Sequence, residues 1–174
     1  MIKYACSFIL MLMLAVPALA QDAPQVRLSP VAIAATTVND TYIKVVYGQP
    51  HKRDRVVFGE LVPYGQVWRT GANEATEITF TGDVEIAGET VPAGTYSVFS
   101  IPGEEEWTII LNSGLGQWGT RYNEDNNVFS ATFPAEKMDV SWEAFTIRLE
   151  REESSVRLNM MWDDTKVVVP ITVN

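Results

Sequence analysis

Sulfur and imidazole chemistry are nearly missing from this chain: its 174 residues contain one cysteine, Cys6, and one histidine, His51. That scarcity excludes cysteine nucleophiles, Cys/His zinc sites and multi-histidine metal centres. No G-x-S-x-G elbow accompanies the single histidine, and no G-x-x-x-x-G-K-[ST] or G-x-G-x-x-G stands after a strand and before a helix, which leaves no nucleotide fingerprint. The oxygen-rich run "RYNEDNNVF" lacks the D-x-[DN]-x-[DN]-G order of a calcium loop and reads as a polar turn. No metal and no cofactor are expected.

Long apolar runs are also scarce. The one example, Ala5 to Val16, follows Lys3 and precedes Pro17 and the small-residue triplet Ala18, Leu19, Ala20. This is the layout of a cleavable signal peptide over residues 1–20, with a mature start at Gln21. The run falls short of the roughly 20 residues of a membrane-spanning helix. Cys6 lies far upstream of the expected cut, so it is not placed to carry a lipid there. The expectation is an exported protein, periplasmic or secreted, with no stable membrane anchor after cleavage. Removing the leader removes the only cysteine, so stability must come from a packed core. A flexible tail (21–28) and a single domain (29–174) fit the remaining length.

The formal net charge is −9, but it is unevenly placed. Residues 21–73 carry six basic and four acidic side chains, whereas residues 74–174 carry six basic and eighteen acidic ones. Such acidity opposes nucleic-acid binding over the whole surface. It leaves room for a local cationic site.

What the chain has in quantity is short alternation. "TYIKVVYG", "TEITFTGDVEIAG", "GTYSVFSIP", "EWTIILNS", "FTIRLER", "SVRLNMMWD" and "KVVVPITVN" alternate apolar and polar residues and are rich in β-branched and aromatic side chains. Turn chemistry separates them at Ala87-Gly88 and Pro92-Ala93-Gly94, and Asp163-Asp164-Thr165 is expected to close a tight hairpin. The fold class is all-β: a single-domain antiparallel β-sandwich or barrel-like meander. A helical turn is expected within "FPAEKMDVSWE". Trp107, Trp142 and Trp162 are expected to serve the core.

One stretch departs from this pattern. "QPHKRDRVVFGELVPYGQVWRTGANEAT" (49–76) is broken by Pro50, Gly59, Pro63, Gly65 and Gly71, yet it holds the only histidine and three arginines. A long irregular segment of this kind is usually functional or structurally specialised. Arg53, Arg55 and Arg69 suit capture of an anionic group, His51 can donate or accept, and Tyr64 and Trp68 can supply a flat apolar wall. The competing reading is a salt-bridged plug, with Arg69 on Glu74 and Arg55 on Asp54 or Glu60.

From Phe58 to Asn112, "FGELVPYGQVWRTGANEATEITFTGDVEIAGETVPAGTYSVFSIPGEEEWTIILN" resembles an exported bacterial family of Bacteroidetes-type genomes, domain of unknown function 2911. The likeness extends through Ser29-Pro30, "VVYGQP", "QWG" (117–119), "FTIRL" and "MMWDD", nearly the whole mature chain. It implies an exported all-β domain and carries no assigned activity. It also implies a first loop of the form R-P-x-x-K-G-R, where this chain has Gln49 and Asp54 in the first and sixth places. The implied site therefore rests on Tyr64, Trp68, Arg69, Asn73 and Glu74 more than on His51 or Lys52.

Three functions are compatible with these residues. The first is a non-catalytic domain that binds a small anionic or carbohydrate-like ligand, or an envelope protein partner. It would use Arg55, Tyr64, Trp68, Arg69, Asn73, Glu74 and Trp118, with His51 and Arg53 in support. The second is a hydrolase of carbohydrate or envelope polymer working through Glu60 and Glu74. The third is a purely structural or assembly module.

Overall fold

The computed structural model describes residues 26–173; the expected signal peptide lies outside the described residues. Period-2 patterning gives the strands two unlike faces. In β2 (Thr41–Gly48), Thr41, Ile43, Val45 and Tyr47 are buried, while Tyr42, Lys44 and Val46 face the more open side. The other strands are β1 (Val31–Val38), β3 (Thr76–Phe80), β4 (Val84–Ile86), β5 (Glu89–Val91), β6 (Gly94–Pro102), β7 (Glu106–Asn112), β8 (Asn127–Glu152) and β9 (Ser155–Val173). They form one antiparallel sheet in the order β1-β2-β3-β6-β7-β8-β9-β4-β5. The all-β class expected from the alternation is what the chain adopts.

Strand β8 folds this sheet over on itself. Its first part, Asn127 to Pro134, pairs with β7, and from Ala135 to Glu152 it pairs with β9. The partner changes beside Pro134, which has no N–H to give to a ladder. Side chains from the two halves then share one core, in which Ile43, Ile78 and Trp107 meet Phe145, Met160, Trp162 and Ile171. One end closes further. The chain leaving β2 pairs with the far half of β8, through Phe145 N–H donating to Pro50 O (2.9 Å) and Lys52 N–H to Glu143 O (2.8 Å). The result is a sandwich with a barrel-like end.

Two local expectations need correction. "FPAEKMDVSWE" lies within β8 and holds no helical turn, because β9 supplies a partner for its backbone; the pairing register slips on both sides of Trp142. Asp163-Asp164-Thr165 does not close a hairpin either. It lies inside β9, with Asp163 at φ 52 where the ladder is irregular, and the hairpin turns at Glu153-Ser154. Of the three tryptophans expected in the core, Trp107 and Trp162 are fully buried. Trp142 is only partly buried and lies under the Arg148 guanidinium at 4.8 Å.

Candidate functional site: a cationic cleft at the closed end

The irregular stretch between β2 and β3 has two faces. Inward, Val57 and Val62 are buried, and Phe58 reaches an aromatic cluster formed with Trp68, Trp107, Phe145 and Trp162. Trp68 stacks on Trp162 with ring centroids 5.9 Å apart, and its indole N–H donates to Gly71 O (3.1 Å). The segment is thus a plug on its inner side. Burying each such side chain contributes about 1.5–3 kcal/mol.

Outward, the same segment lines a cleft of about 470 Å³. Its walls come from His51, Arg53, Arg55, Leu61, Val62, Gln66, Val67, Trp68, Arg69 and Asn73, with Leu28 and Ser29 from the N-terminal side and Trp162 from β9. Among the described residues, no carboxylate lines the cleft. In a chain with 22 acidic side chains, this separation of charge is the site's main chemical feature.

Each arginine is held differently. Arg55 donates from Nε to Lys52 O (2.8 Å) and from Nη2 to His51 O (2.7 Å). Arg53 donates from Nη2 to Leu28 O (2.7 Å). These acceptors are neutral carbonyls, so they orient the guanidinium groups without cancelling their charge. Arg69 is half-buried, its Nε is fully enclosed, and that atom has no hydrogen-bond partner among the described residues. Burial pulls the Arg69 guanidinium below its ordinary pKa, and no neighbouring carboxylate opposes the shift.

The backbone at Arg69 is specialised. Thr70, a β-branched residue, sits at φ 49, an unfavourable conformation for its type. It is held there by buried hydrogen bonds: its hydroxyl to Ser100 Oγ (3.0 Å), and its carbonyl to the Thr76 hydroxyl (2.7 Å). Two glycines make the fit possible. A side chain at Gly48 would overlap the Ala72 carbonyl, and one at Gly119 would overlap the alkyl stem of Arg69. "VVYG", "RTGAN" and "QWG" therefore meet at one place, around the arginine.

The structure brings His51, Arg53, Arg55, Trp68, Arg69 and Asn73 together around this cleft and leaves the other candidates outside it. Tyr64 lies against Gly59, its ring within about 3.1 Å of where a glycine Cβ would stand. Glu74 forms a two-point pair with Arg27, both contacts at 2.8 Å, which lowers the Glu74 carboxyl pKa and raises that of Arg27. Trp118 is 48% exposed and pairs with Glu74 through the backbone. Glu60 is exposed. Lys52 is tied to Asp163 (2.6 Å) and Ser141 (2.9 Å). The alternative pairing of Arg69 with Glu74 is replaced by Arg27 with Glu74, and Arg55 bonds to main-chain carbonyls rather than to Asp54 or Glu60.

Several lining residues carry no warning in the sequence. Leu28 and Ser29 reach the cleft because Gln49 N–H donates to Pro30 O (2.8 Å) and Asn73 Nδ2 to Ser29 O (3.3 Å). Trp162 reads as a core residue of β9 and touches the cleft from below.

A family model described as "Protein of unknown function (DUF2911)" matches residues 29–171. No curated protein and no solved structure matches the chain.

Proposed function

Since the chain belongs to the DUF2911 family, whose description names no activity, we propose from the cleft itself that the protein is an exported binding domain for a small anionic ligand. The observation that carries this reading is a half-buried Arg69 whose guanidinium meets no carboxylate, in a cleft that also holds Arg53, Arg55 and His51 and, among the described residues, no acidic side chain. A guanidinium kept from water is costly unless it is paired. An oxyanion entering the cleft pairs the charge through the terminal guanidinium nitrogens, which, unlike Nε, are not enclosed.

Binding rather than turnover is favoured by what surrounds the arginines. Glu60 and Glu74, the carboxylates a hydrolase reading would use, do not line the cleft, and Glu74 is engaged with Arg27. The signal-peptide layout supports binding in the periplasm or outside the cell.

A thermal-shift series tests the reading. Sulfate, phosphate and small carboxylates are compared with neutral sugars at matched ionic strength. A ligand at 100 times its Kd adds about 2.7 kcal/mol, a readily measured rise in Tm. The expected rise occurs with anions and is lost in Arg69→Gln. A rise with neutral sugars alone, or one that survives Arg69→Gln undiminished, contradicts it.

A further inference from the structure

The cleft's hydrogen-bonding inventory is lopsided. Its charged groups are all donors: Arg55 retains Nη1, Arg53 retains Nε and Nη1, and Arg69 retains its two terminal nitrogens after the protein's own hydrogen bonds and the enclosure of Arg69 Nε are counted. Side-chain acceptors in the lining are confined to Ser29, Gln66, Asn73 and His51. A sugar, whose hydroxyls both donate and accept, meets too few acceptors. An amine or amino acid meets three like charges and no carboxylate.

The remaining wall is apolar. Leu61 and Val67 are 40% and 42% exposed, and with Pro63 and Leu28 they line the same cleft as the three arginines. Apolar surface here gives a ligand's organic part somewhere to leave water. Guanidinium forks match oxyanions two oxygens at a time. The donors left on three guanidinium groups exceed what a single carboxylate can engage, whereas a phosphate monoester offers three terminal oxygens and close to two charges.

We infer that the cleft's ligand is a phosphate monoester on an apolar body that carries no amino group. The phosphate rests on Arg53, Arg55 and Arg69, and the body lies against Leu61 and Val67. This deepens the anion-binding reading and depends on it. The monoester can be a free small molecule or the head of a lipid; the chemistry recognised is the same.

Titration calorimetry of the protein with hexyl phosphate, inorganic phosphate, hexanoate and O-phosphoethanolamine, at one ionic strength, tests it. Hexyl phosphate is expected to bind at least tenfold more tightly than each of the others. Inorganic phosphate binding as tightly as hexyl phosphate overturns the apolar body and leaves the anion reading standing. Hexanoate matching hexyl phosphate overturns the monoester, again leaving that reading intact. Phosphoethanolamine matching it overturns the exclusion of amines. If none of the anions binds, both readings fall.

Val67→Ser and Leu61→Ser, at exposed positions that spare the core, are expected to weaken hexyl phosphate by a factor several times larger than inorganic phosphate, erasing most of the hexyl advantage. An unchanged advantage in both variants overturns the assigned wall. Flotation with phosphatidylcholine vesicles, with and without phosphatidic acid, separates the two sources. Co-flotation only with phosphatidic acid, alongside hexyl phosphate binding, upholds the inference with a lipid source; no flotation alongside that binding upholds it with a soluble one.

Discussion

Arg27 and Glu74 face each other through two hydrogen bonds of 2.8 Å, so the carboxylate closest in sequence to Arg69 is already engaged. The pair also pins the N-terminal approach to the cleft, because Leu28 and Ser29, the next two residues, form part of its wall. A single ion pair therefore does two things: it leaves Arg69 uncompensated and shapes the rim.

That pair sets a pH response. Arg27 holds the Glu74 carboxyl below the usual carboxylate range. A depressed folded-state pKa means that the contribution is present above the unfolded value, about 4.3 for glutamate, and is lost as pH falls through the folded value. Both partners are solvent-exposed, so the effect on global stability is small. The protection factor of the Gln49 amide, which donates to Pro30 O, is expected to fall as pH drops below the ordinary glutamate range, and to fall likewise in Glu74→Gln at neutral pH. Equal protection in Glu74→Gln and wild type at pH 7 contradicts the pinning.

Trp68 belongs to the core as much as to the cleft. It stacks on Trp162 and meets Phe58, Trp107 and Phe145 edge-on. Trp68→Ala is expected to cost about 3–5 kcal/mol in urea unfolding. A loss below 1 kcal/mol would mean that this cluster does not hold the plug in place.

Gly119 offers a way to move Arg69 without removing its charge. A methyl group there overlaps the arginine's Cβ, Cγ and Cδ. Gly119→Ala is expected to weaken anion binding at least tenfold while circular dichroism remains that of the wild-type sheet. Unchanged affinity would show that the position of Arg69 is immaterial.

Export has its own check. Intact mass of the protein recovered from the periplasm or medium is expected to correspond to a start at Gln21. A mass that retains residues 1–20 contradicts cleavage there.

How far the sequence discloses all this depends on what each residue must do. β2 and β6 match "TYIKVVYG" and "GTYSVFSIP" end to end: β2 alternates regularly, and β6, buried on both faces from Ser97 to Ser100, is rich in β-branched and aromatic residues and follows the turn at Pro92-Ala93. β1, "VAIAATTV", gives a weaker signal: it is rich in alanine and threonine, and its alternate residues are exposed. The 26 residues of β8 are unreadable as one strand, since Pro134 and a charged stretch interrupt the pattern and the pairing partner changes partway.

The cleft is legible to the extent that it is contiguous. His51, Arg53, Arg55, Trp68 and Arg69 come from one segment whose composition stands apart. In irregular backbone, however, sequence spacing does not say which way a side chain points. Tyr64 and Glu74 share the segment with Arg69 yet face elsewhere, and Asn73, at φ 66, is directed to the N-terminal strand's approach by its bond to Ser29. Leu28 and Trp162 join from distant positions through tertiary contacts alone.

The most direct measurement follows the Arg69 Nε–H signal by nitrogen-15 NMR during titration with phosphate, the signal being assigned by its loss in Arg69→Lys. The account predicts a saturable shift of that signal, while the signals of Arg27 and Arg157, both in ion pairs, stay in place. An Arg69 signal that does not move, or arginine signals that all drift together without saturation, would contradict a built anion site in this cleft.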